Sequence, residues 1–322
     1  MNIPDMYTRR PARRRPVCGL KAFFILLCCA VPSCEGAAGT PANPKLSALP
    51  GNLLADYKIY AAETFRGQNL APALGIAAAT GVLIYYDQPL IDGAQKLGRR
   101  LGLSNKDNTT PYIKAWGLPI LRGPTDTGSA LYFLGDGWTH LSISGGFYAY
   151  GYLADSPRAI RTGYAILEGI ATTAVATQFL KRTTGRESPF VATAENGKWR
   201  FFPDQSKYNK QVSHYDAFPS GHLATAMMTV TVISSSYPEY PAIAPVGYGL
   251  MSLLAFQMMN NGVHWASDYP LALSLGYSFG KIAARRVVKK AGGGKSAEGL
   301  GGILIFPDFS RNRTGLLITA RL

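Results

Sequence analysis

Cysteine is absent from most of this 322-residue chain, because all four cysteines (Cys18, Cys28, Cys29 and Cys34) lie near the N-terminus. A disulfide framework or a cysteine-rich metal site in the remainder is therefore excluded. Charged residues are also scarce, at 16% against about 25% in ordinary soluble domains. Negative charge is the scarcer sign, so the formal net charge is +14. With 47% hydrophobic residues, the chain is not a highly charged disordered one, and its basic balance favours a membrane surface or an anionic ligand.

The N-terminal segment, residues 1–37, is typical of an export signal. Basic residues precede the apolar run Ala22–Val31, and small residues follow at Gly36-Ala37-Ala38. The apolar run is too short for a comfortable membrane span, although an uncleaved N-terminal anchor is the alternative. Val31-Pro32-Ser33-Cys34 loosely matches a lipoprotein box with Cys34 as the lipidated residue. We therefore expect an exported protein of the bacterial cell envelope.

The body of the chain contains several apolar stretches, which follow a Pro-, Ala- and Gly-rich linker predicted at 38–56. Their length, their small residues and their lack of alternating patterns favour helices that pack closely. The predicted fold class is all-α, a membrane-associated bundle of about six core helices. The stretches are Leu70–Tyr86, Leu131–Leu153, Ile160–Leu180, His222–Ser236, Ala242–Met259 and Leu271–Ala284.

The sequence leaves open whether this bundle is embedded in a membrane or soluble. Asp136, His140 and Glu168 interrupt two of the stretches, and such groups are costly in a bilayer unless they face the bundle interior. Ala242–Met259 is the most membrane-like stretch. The basic residues after the last stretch, at 281–290, would mark a cytoplasmic end, but six spans ending inside conflict with a cleaved signal.

The C-terminal region has a different character from the helical domain, which we place at 57–290. A Gly-rich spacer is predicted at 291–302. A β-hairpin is predicted over 303–322, because the apolar segments Ile303–Phe306 and Leu316–Thr319 flank a polar centre.

The motif Pro219-Ser220-Gly221-His222 opens one of the apolar stretches. Ser220 is a favourable N-cap, and Gly221 allows a ligand to approach the backbone closely. The free N–H groups of a helix N-terminus bind anions, and His222 in the first turn could protonate a bound group. A capped helix with a solvent-facing histidine is the alternative.

Two further motifs carry a histidine, a carboxylate and several cations. If their segment is helical, His264 and Asp268 share a face, and a carboxylate on one imidazole nitrogen leaves the other free as nucleophile or base. A structural His–Asp hydrogen bond is the alternative. Lys181 and Arg186 follow another stretch, where a solvated charged turn is the alternative. Helices that alternate in direction would bring Lys181, the Ser220 corner and His264 together, which describes a phosphoryl-transfer site with no metal or cofactor.

The combination resembles the type 2 phosphatidic-acid phosphatases, a superfamily that includes bacterial class A acid phosphatases and vanadium haloperoxidases. The resemblance runs from about Leu131 to Arg286 and rests on three signatures in the family's order: Lys-x6-Arg-Pro, Pro-Ser-Gly-His and Ser-Arg-x5-His-x3-Asp. It implies phosphate binding by Lys181, Ser220 and the backbone of Gly221, attack on phosphorus by His264 to form a phosphohistidine, orientation of His264 by Asp268, and protonation of the leaving oxygen by His222.

Two departures from the family pattern concern its arginines. Ser188 stands at the position of the first, and Met258, preceded by Gln257, stands at the position of the second. Charge-assisted bidentate contacts are strong, so their loss predicts a rewired or impaired site. Arg186 is the predicted substitute that binds phosphate.

The predicted function is a cell-envelope phosphoric-ester hydrolase that acts, without metal or cofactor, on a phosphate monoester or diphosphate carried on a lipid. We expect the site on the periplasmic or outer side of the membrane. The alternatives are a soluble periplasmic acid phosphatase and a catalytically impaired envelope protein that binds anionic lipid; the missing arginines argue against a vanadate-dependent haloperoxidase. No nucleic-acid partner is expected, because the cations are scattered at helix ends. The oligomeric state stays open.

Overall fold

The computed structural model describes residues 43–115, 118–291, 303–310 and 313–320. The predicted export signal lies outside these residues, as does the predicted spacer apart from residue 291. Within the described chain the fold is mainly helical, which confirms the predicted class. The helices are α1 Leu49–Thr64, α2 Gly67–Arg100, α3 Thr127–Phe133, α4 Gly137–Leu153, α5 Pro157–Thr184, α6 Gln205–Lys210, α7 Gly221–Ser236, α8 Ile243–Asn260 and α9 Tyr269–Ala291.

Two antiparallel hairpins accompany the helices. The sequence predicted the C-terminal hairpin, in which β3 (Ile303–Ser310) pairs with β4 (Arg313–Ala320). The other hairpin was not foreseen: β1 (Thr109–Ala115) pairs with β2 (Leu118–Pro124) between α2 and α3.

Two of the predicted boundaries are wrong. The stretch Leu131–Leu153 is not one helix, because it breaks between α3 and α4, where the Asp136 carboxylate caps α4 by accepting the Trp138 N–H at 2.8 Å. The linker predicted over 38–56 becomes α1 from residue 49 onward. α1 is held to the bundle by its buried Asp56, which is ion-paired with Arg286 of α9.

The centre of the bundle is formed by α5, α7 and α9, whose buried residues include Ile166, Met228 and Ala283. A second apolar cluster lies nearer the start of α7, with Leu223 and Leu254 fully buried. Close helix contact through small residues, which the composition predicted, is present between α7 and α9.

Gly276 marks the tightest of these crossings. A Cβ atom at this position would lie only 2.2 Å from the carbonyl oxygen of Ala224 and 2.8 Å from the Cβ of Met227. Because Gly276 has no Cβ atom, α9 can contact the backbone of α7 directly at this position. This contact fixes the spacing of the two helices that begin at the motifs.

Gly276→Ala is expected to lower the free energy of unfolding by about 1–3 kcal/mol, because the added methyl forces α7 and α9 apart. Urea denaturation of the two proteins measures the difference. The matched control is Gly249→Ala in α8, where a Cβ would meet nothing within 4 Å; it should be neutral or stabilising by about 0.5–1 kcal/mol. Equal effects at both positions would contradict a close crossing at 276.

The N-terminal half of α2 projects away from the bundle. Leu74 is 69% exposed, Val82 59% and Tyr85 76%. Within the described residues, α2 is the one helix whose length and apolar composition would let it cross a membrane. The expectation that Ala242–Met259 is the most membrane-like stretch is therefore wrong.

The basic residues near the end of α9 are partly engaged in ion pairs. Arg286 binds the buried carboxylates of Asp56 and Glu168, and Arg285 pairs with Glu63 of α1. Glu168 thus faces the bundle interior, which is the orientation in which a charged group is tolerated in a membrane-embedded helix. These two arginines stabilise the attachment of α1 and are not free to mark one side of a membrane.

Candidate active site

The N-terminus of α7 forms one wall of the site. Ser220 is the N-cap, as predicted: its buried hydroxyl accepts the Leu223 N–H at 3.4 Å. Its own N–H donates to the carbonyl oxygen of Asp268 at 3.1 Å, which ties the start of α7 to the second motif. A Cβ on Gly221 would meet nothing nearer than 3.9 Å, so no other group presses on the backbone at this helix end.

Lys181 lies next to Gly221 at the N-terminus of α7. It lies in the last turn of α5, is 7% exposed, and its Cε is 4.0 Å from the position a Gly221 Cβ would occupy. Its ammonium group is 3.5 Å from a carboxylate oxygen of Asp216. The structure therefore places a nearly buried cation beside the free N–H groups of a helix, an arrangement that suits an anion.

His264 and Asp268 interact, as the sequence suggested. The segment between them, however, is not the α-helix on which that expectation depended. Ala266–Asp268 forms a 3₁₀ turn directly before α9. The His264 Nδ1 lies 3.3 Å from one Asp268 carboxylate oxygen, which also accepts the Trp265 N–H at 2.8 Å. Since this carboxylate is fully buried, it can hold the Nδ1–H tautomer and leave Nε2 free for chemistry.

His222 faces the same region from α7. Its ring centre is 6.4 Å from that of His264 and 4.8 Å from that of Tyr132. Burial, followed by the neighbouring His264 and Lys181, lowers the pKa of His222 to about 3. A bound phosphate dianion would raise this pKa by favouring the charged imidazolium.

Arg186 does not occupy the position predicted for it. Its side chain is fully buried, with one guanidinium nitrogen 2.6 Å from Asp268 and the other 2.6 Å from Asp87 of α2. Ser267 and the carbonyl of Asn196 accept further hydrogen bonds from it. The guanidinium is therefore occupied by carboxylates, and the prediction that Arg186 binds phosphate is wrong for this arrangement.

The two positions where the family pattern has arginine are closed to an anion. Ser188 is 3% exposed, and its N–H donates to the carbonyl of Ser213 at 2.9 Å. Met258 is fully buried with its sulfur 3.5 Å from the Ser220 hydroxyl, and the Gln257 amide donates to Ser104 and Asn261. Apolar or neutral packing has replaced both cations.

Sequence reasoning missed Asp87, which is fully buried and connects α2 to the site. One of its carboxylate oxygens accepts the Ser267 N–H at 2.9 Å, and the other accepts from the Ser267 hydroxyl at 2.5 Å and from Arg186. The only signal was an isolated acidic residue at the end of the apolar stretch Leu70–Tyr86. That signal does not identify a partner 99 residues away.

His140 of α4 is a buried histidine that the mechanism suggested by the sequence does not use. It is 3% exposed, and neither ring nitrogen has a hydrogen-bond partner. Burial lowers its pKa to about 4, although Asp136 acts in the opposite direction. The folded protein therefore holds this imidazole neutral while the unfolded chain would protonate it at higher pH.

As the pH falls from 7 to 4, His140 should remove on the order of 3 kcal/mol from the free energy of unfolding, because the unfolded state takes up a proton near pH 6.5 that the folded state excludes until about pH 4. Urea denaturation at both pH values measures the loss in wild type and in His140→Leu, which should lose about 3 kcal/mol less than wild type because His222 still contributes its own loss. His214→Gln, at a histidine whose side chain is 33% exposed, should keep it. A pH-independent difference between His140→Leu and wild type would contradict the assignment.

No group of three or more His, Cys, Asp or Glu side chains suited to a metal ion occurs in the described part of the chain. A surface cavity of about 440 Å³ lies elsewhere, between α1 and α9, and is lined by Ile59, Glu63, Arg66, Ile282 and Arg285 among others. Its lining shares no residue with the site described above.

Comparison with known proteins agrees with the motifs. Residues 163–291 match the model of the PAP2 superfamily, and these residues include Lys181, Ser220, His222, His264 and Asp268. No curated protein matches in sequence. A solved structure, that of the first transmembrane PAP2 type phosphatidylglycerolphosphate phosphatase from Bacillus subtilis, is similar with 16% identity and a TM-score of 0.35, over 74% of this chain and 94% of that one. The match to this family model bears out the predicted resemblance over residues 163–291.

Proposed function

We propose that this protein is a membrane-associated phosphatase that hydrolyses a phosphate monoester or diphosphate carried on a lipid. One observation carries the proposal. The ring of His264, which is supported by Asp268, has its centre 6.4 Å from that of His222, near the N-terminus of α7 where Lys181 lies. A paired nucleophile and proton donor beside an anion site is the arrangement that phosphoryl transfer needs. The match of residues 163–291 to the PAP2 superfamily model supports it.

The proposed reaction has two steps. The phosphate binds the N–H groups at Gly221 and the Lys181 ammonium, and the His264 Nε2 forms a P–N bond while the ester P–O bond breaks. His222, protonated once the phosphate is bound, donates its proton to the leaving oxygen. It then takes a proton from a water molecule that attacks the phosphohistidine, releasing phosphate and restoring His264. These steps use backbone and side-chain groups of the protein, so the proposed mechanism is metal-independent.

The lipid part of the proposal rests on α2. Its exposed apolar half ends at Asp87, which binds both Arg186 and Ser267 beside the site. A lipid whose tails lie along this half would therefore present its headgroup close to His264. We propose that the protein is exported to the bacterial cell envelope, with the site facing the periplasmic or outer side.

Phosphate release by the purified protein tests the activity. A lipid monophosphate in mixed micelles should be hydrolysed faster than a short-chain ester with the same headgroup, and a denaturing quench at alkaline pH should trap an acid-labile, alkali-stable phosphoprotein. Equal rates on both substrates would favour the soluble acid phosphatase. No release from either would favour the impaired protein that binds anionic lipid.

Carbonate extraction of membranes tests the role of α2. Wild type should remain in the pellet, whereas Leu74→Glu/Val82→Glu should be released, since both side chains are exposed in the apolar half. The control Leu46→Glu, at an exposed leucine outside α2, should stay in the pellet. Release of wild type would overturn the membrane association.

A further inference from the structure

Among the described residues, the motif positions supply no free guanidinium to the site. The two positions that carry arginine in the family pattern are Ser188 and Met258, both buried, and Arg186 is bound to Asp87 and Asp268. A phosphoryl group in transfer carries charge over three oxygens, which a single ammonium does not fully compensate. The described residues offer one further cation close to His222, and it comes from outside the family match.

Arg122 is this cation. It lies near the end of β2, in the hairpin that precedes α3, and its guanidinium donates to Asp136 at 2.7 Å. The other terminal nitrogen is 3.7 Å from Asp107, which is beyond hydrogen-bond length. The side chain is 36% exposed, so the guanidinium is held in place at one nitrogen while the rest stays open to a ligand.

The turn between α3 and α4, which binds Arg122 through Asp136, packs against His222. The Tyr132 ring is 4.8 Å from the His222 ring. A Cβ on Gly135 would lie 2.7 Å from the Cβ of His222, and Asp136, the ion-pair partner of Arg122, is the next residue. Arg122 therefore belongs to the same wall of the site as the turn between α3 and α4.

Lys181 and Arg122 approach His222 from different elements. Lys181 comes from α5, beside Gly221, whereas Arg122 comes from the hairpin. Burial is the main cause of the lowered pKa of His222, and the positive charges of Lys181 and Arg122 act in the same direction.

We infer that Arg122 binds the substrate phosphate and replaces the arginines missing from the family motifs. The inference rests on the proposed phosphatase function. A guanidinium donates strong charge-assisted hydrogen bonds to phosphate oxygens, and the nitrogen near Asp107 is the one available for this contact, since the other donates to Asp136. The hairpin β1–β2 thereby contributes to the site, although it lies outside the PAP2 match.

Arg122→Gln tests the inference through phosphate affinity and turnover. It should lower kcat/KM by about 10²–10³-fold and raise the inhibition constant of inorganic phosphate, and Arg122→Lys should restore part of both. The matched control is Arg158→Gln at the opposite end of α7, where Arg158 pairs with Glu239 and is 30% exposed; its kcat/KM should not change. Unchanged phosphate inhibition in Arg122→Gln would overturn the inference.

Asp107→Asn separates binding from a purely structural role of Arg122. Removing this carboxylate frees the guanidinium nitrogen without breaking the Asp136 pair, so inorganic phosphate should bind several-fold more tightly. If Arg122 only fastens the hairpin to α4, phosphate affinity should not increase in this variant. Equal or weaker phosphate binding in Asp107→Asn would therefore overturn the inference.

The inference and the proposed function fail separately. Isothermal titration with inorganic phosphate measures the Arg122 contribution even without turnover. If wild type and His264→Gln release phosphate equally slowly, the phosphatase proposal falls; if wild type is active but Arg122→Gln matches it in both titration and turnover, only the Arg122 assignment falls.

Discussion

Replacing His264 by glutamine is expected to lower the kcat/KM for phosphate release by about 10⁴-fold or more, since loss of a nucleophile removes the covalent route entirely. The acid-labile phosphoprotein trapped from wild type should be absent from His264→Gln. Phosphate release from a lipid monophosphate and radiolabelled quench experiments measure the two effects. The fold should persist, because Asp268 keeps its contacts with Trp265 and Arg186.

His214→Gln is the matched control for this substitution. His214 lies in the segment before α7, whereas His264 lies between α8 and α9, and the partner of His214 is Glu187 at 3.8 Å rather than Asp268. Its kcat/KM should equal that of wild type. If His264→Gln retains wild-type turnover, His264 is not the nucleophile, whatever the behaviour of the control.

The convergence of the motifs could be predicted because it depends on short-range signals and on helix direction. Ser220 was expected as an N-cap from its type and position, and the structure places it there. Lys181 and the start of α7 meet because α5 ends where α7 begins. Antiparallel neighbours in a helical bundle make such meetings inevitable.

The role of Arg186 could not be read from the sequence, because it depends on one long-range contact. Three cations within six residues are equally compatible with a phosphate clamp or a solvated turn. Only the position of Asp87, brought in by α2, decides that the guanidinium is buried between two carboxylates. The same limit applies to Arg122, since the hairpin that carries it has no pattern that points to His222.

Arg186→Met should be the most destabilising single substitution near the site. It leaves the carboxylates of Asp87 and Asp268 buried without their cation, and removal of one partner from a buried ion pair costs about 3–5 kcal/mol. Thermal or urea unfolding measures the loss. Arg182→Ala, four residues earlier and bound to Gln205, Asn209 and the Tyr208 ring, should cost less than about 1 kcal/mol.

A second substitution distinguishes positioning from mere stability. In Arg186→Met/Asp87→Leu one unpaired carboxylate is removed, so part of the lost free energy of unfolding should return. The difference between the effect of the double substitution and the sum of the two single effects measures the Arg186–Asp87 coupling. Turnover should not return, because Asp268 still lacks the guanidinium that fixes it against His264, and a misplacement of about 1 Å can cost 10²-fold in rate. Arg186 then acts on the reaction only through Asp268. Recovery of both stability and kcat would instead show that Arg186 matters only because it keeps Asp87, and with it α2, attached to the site.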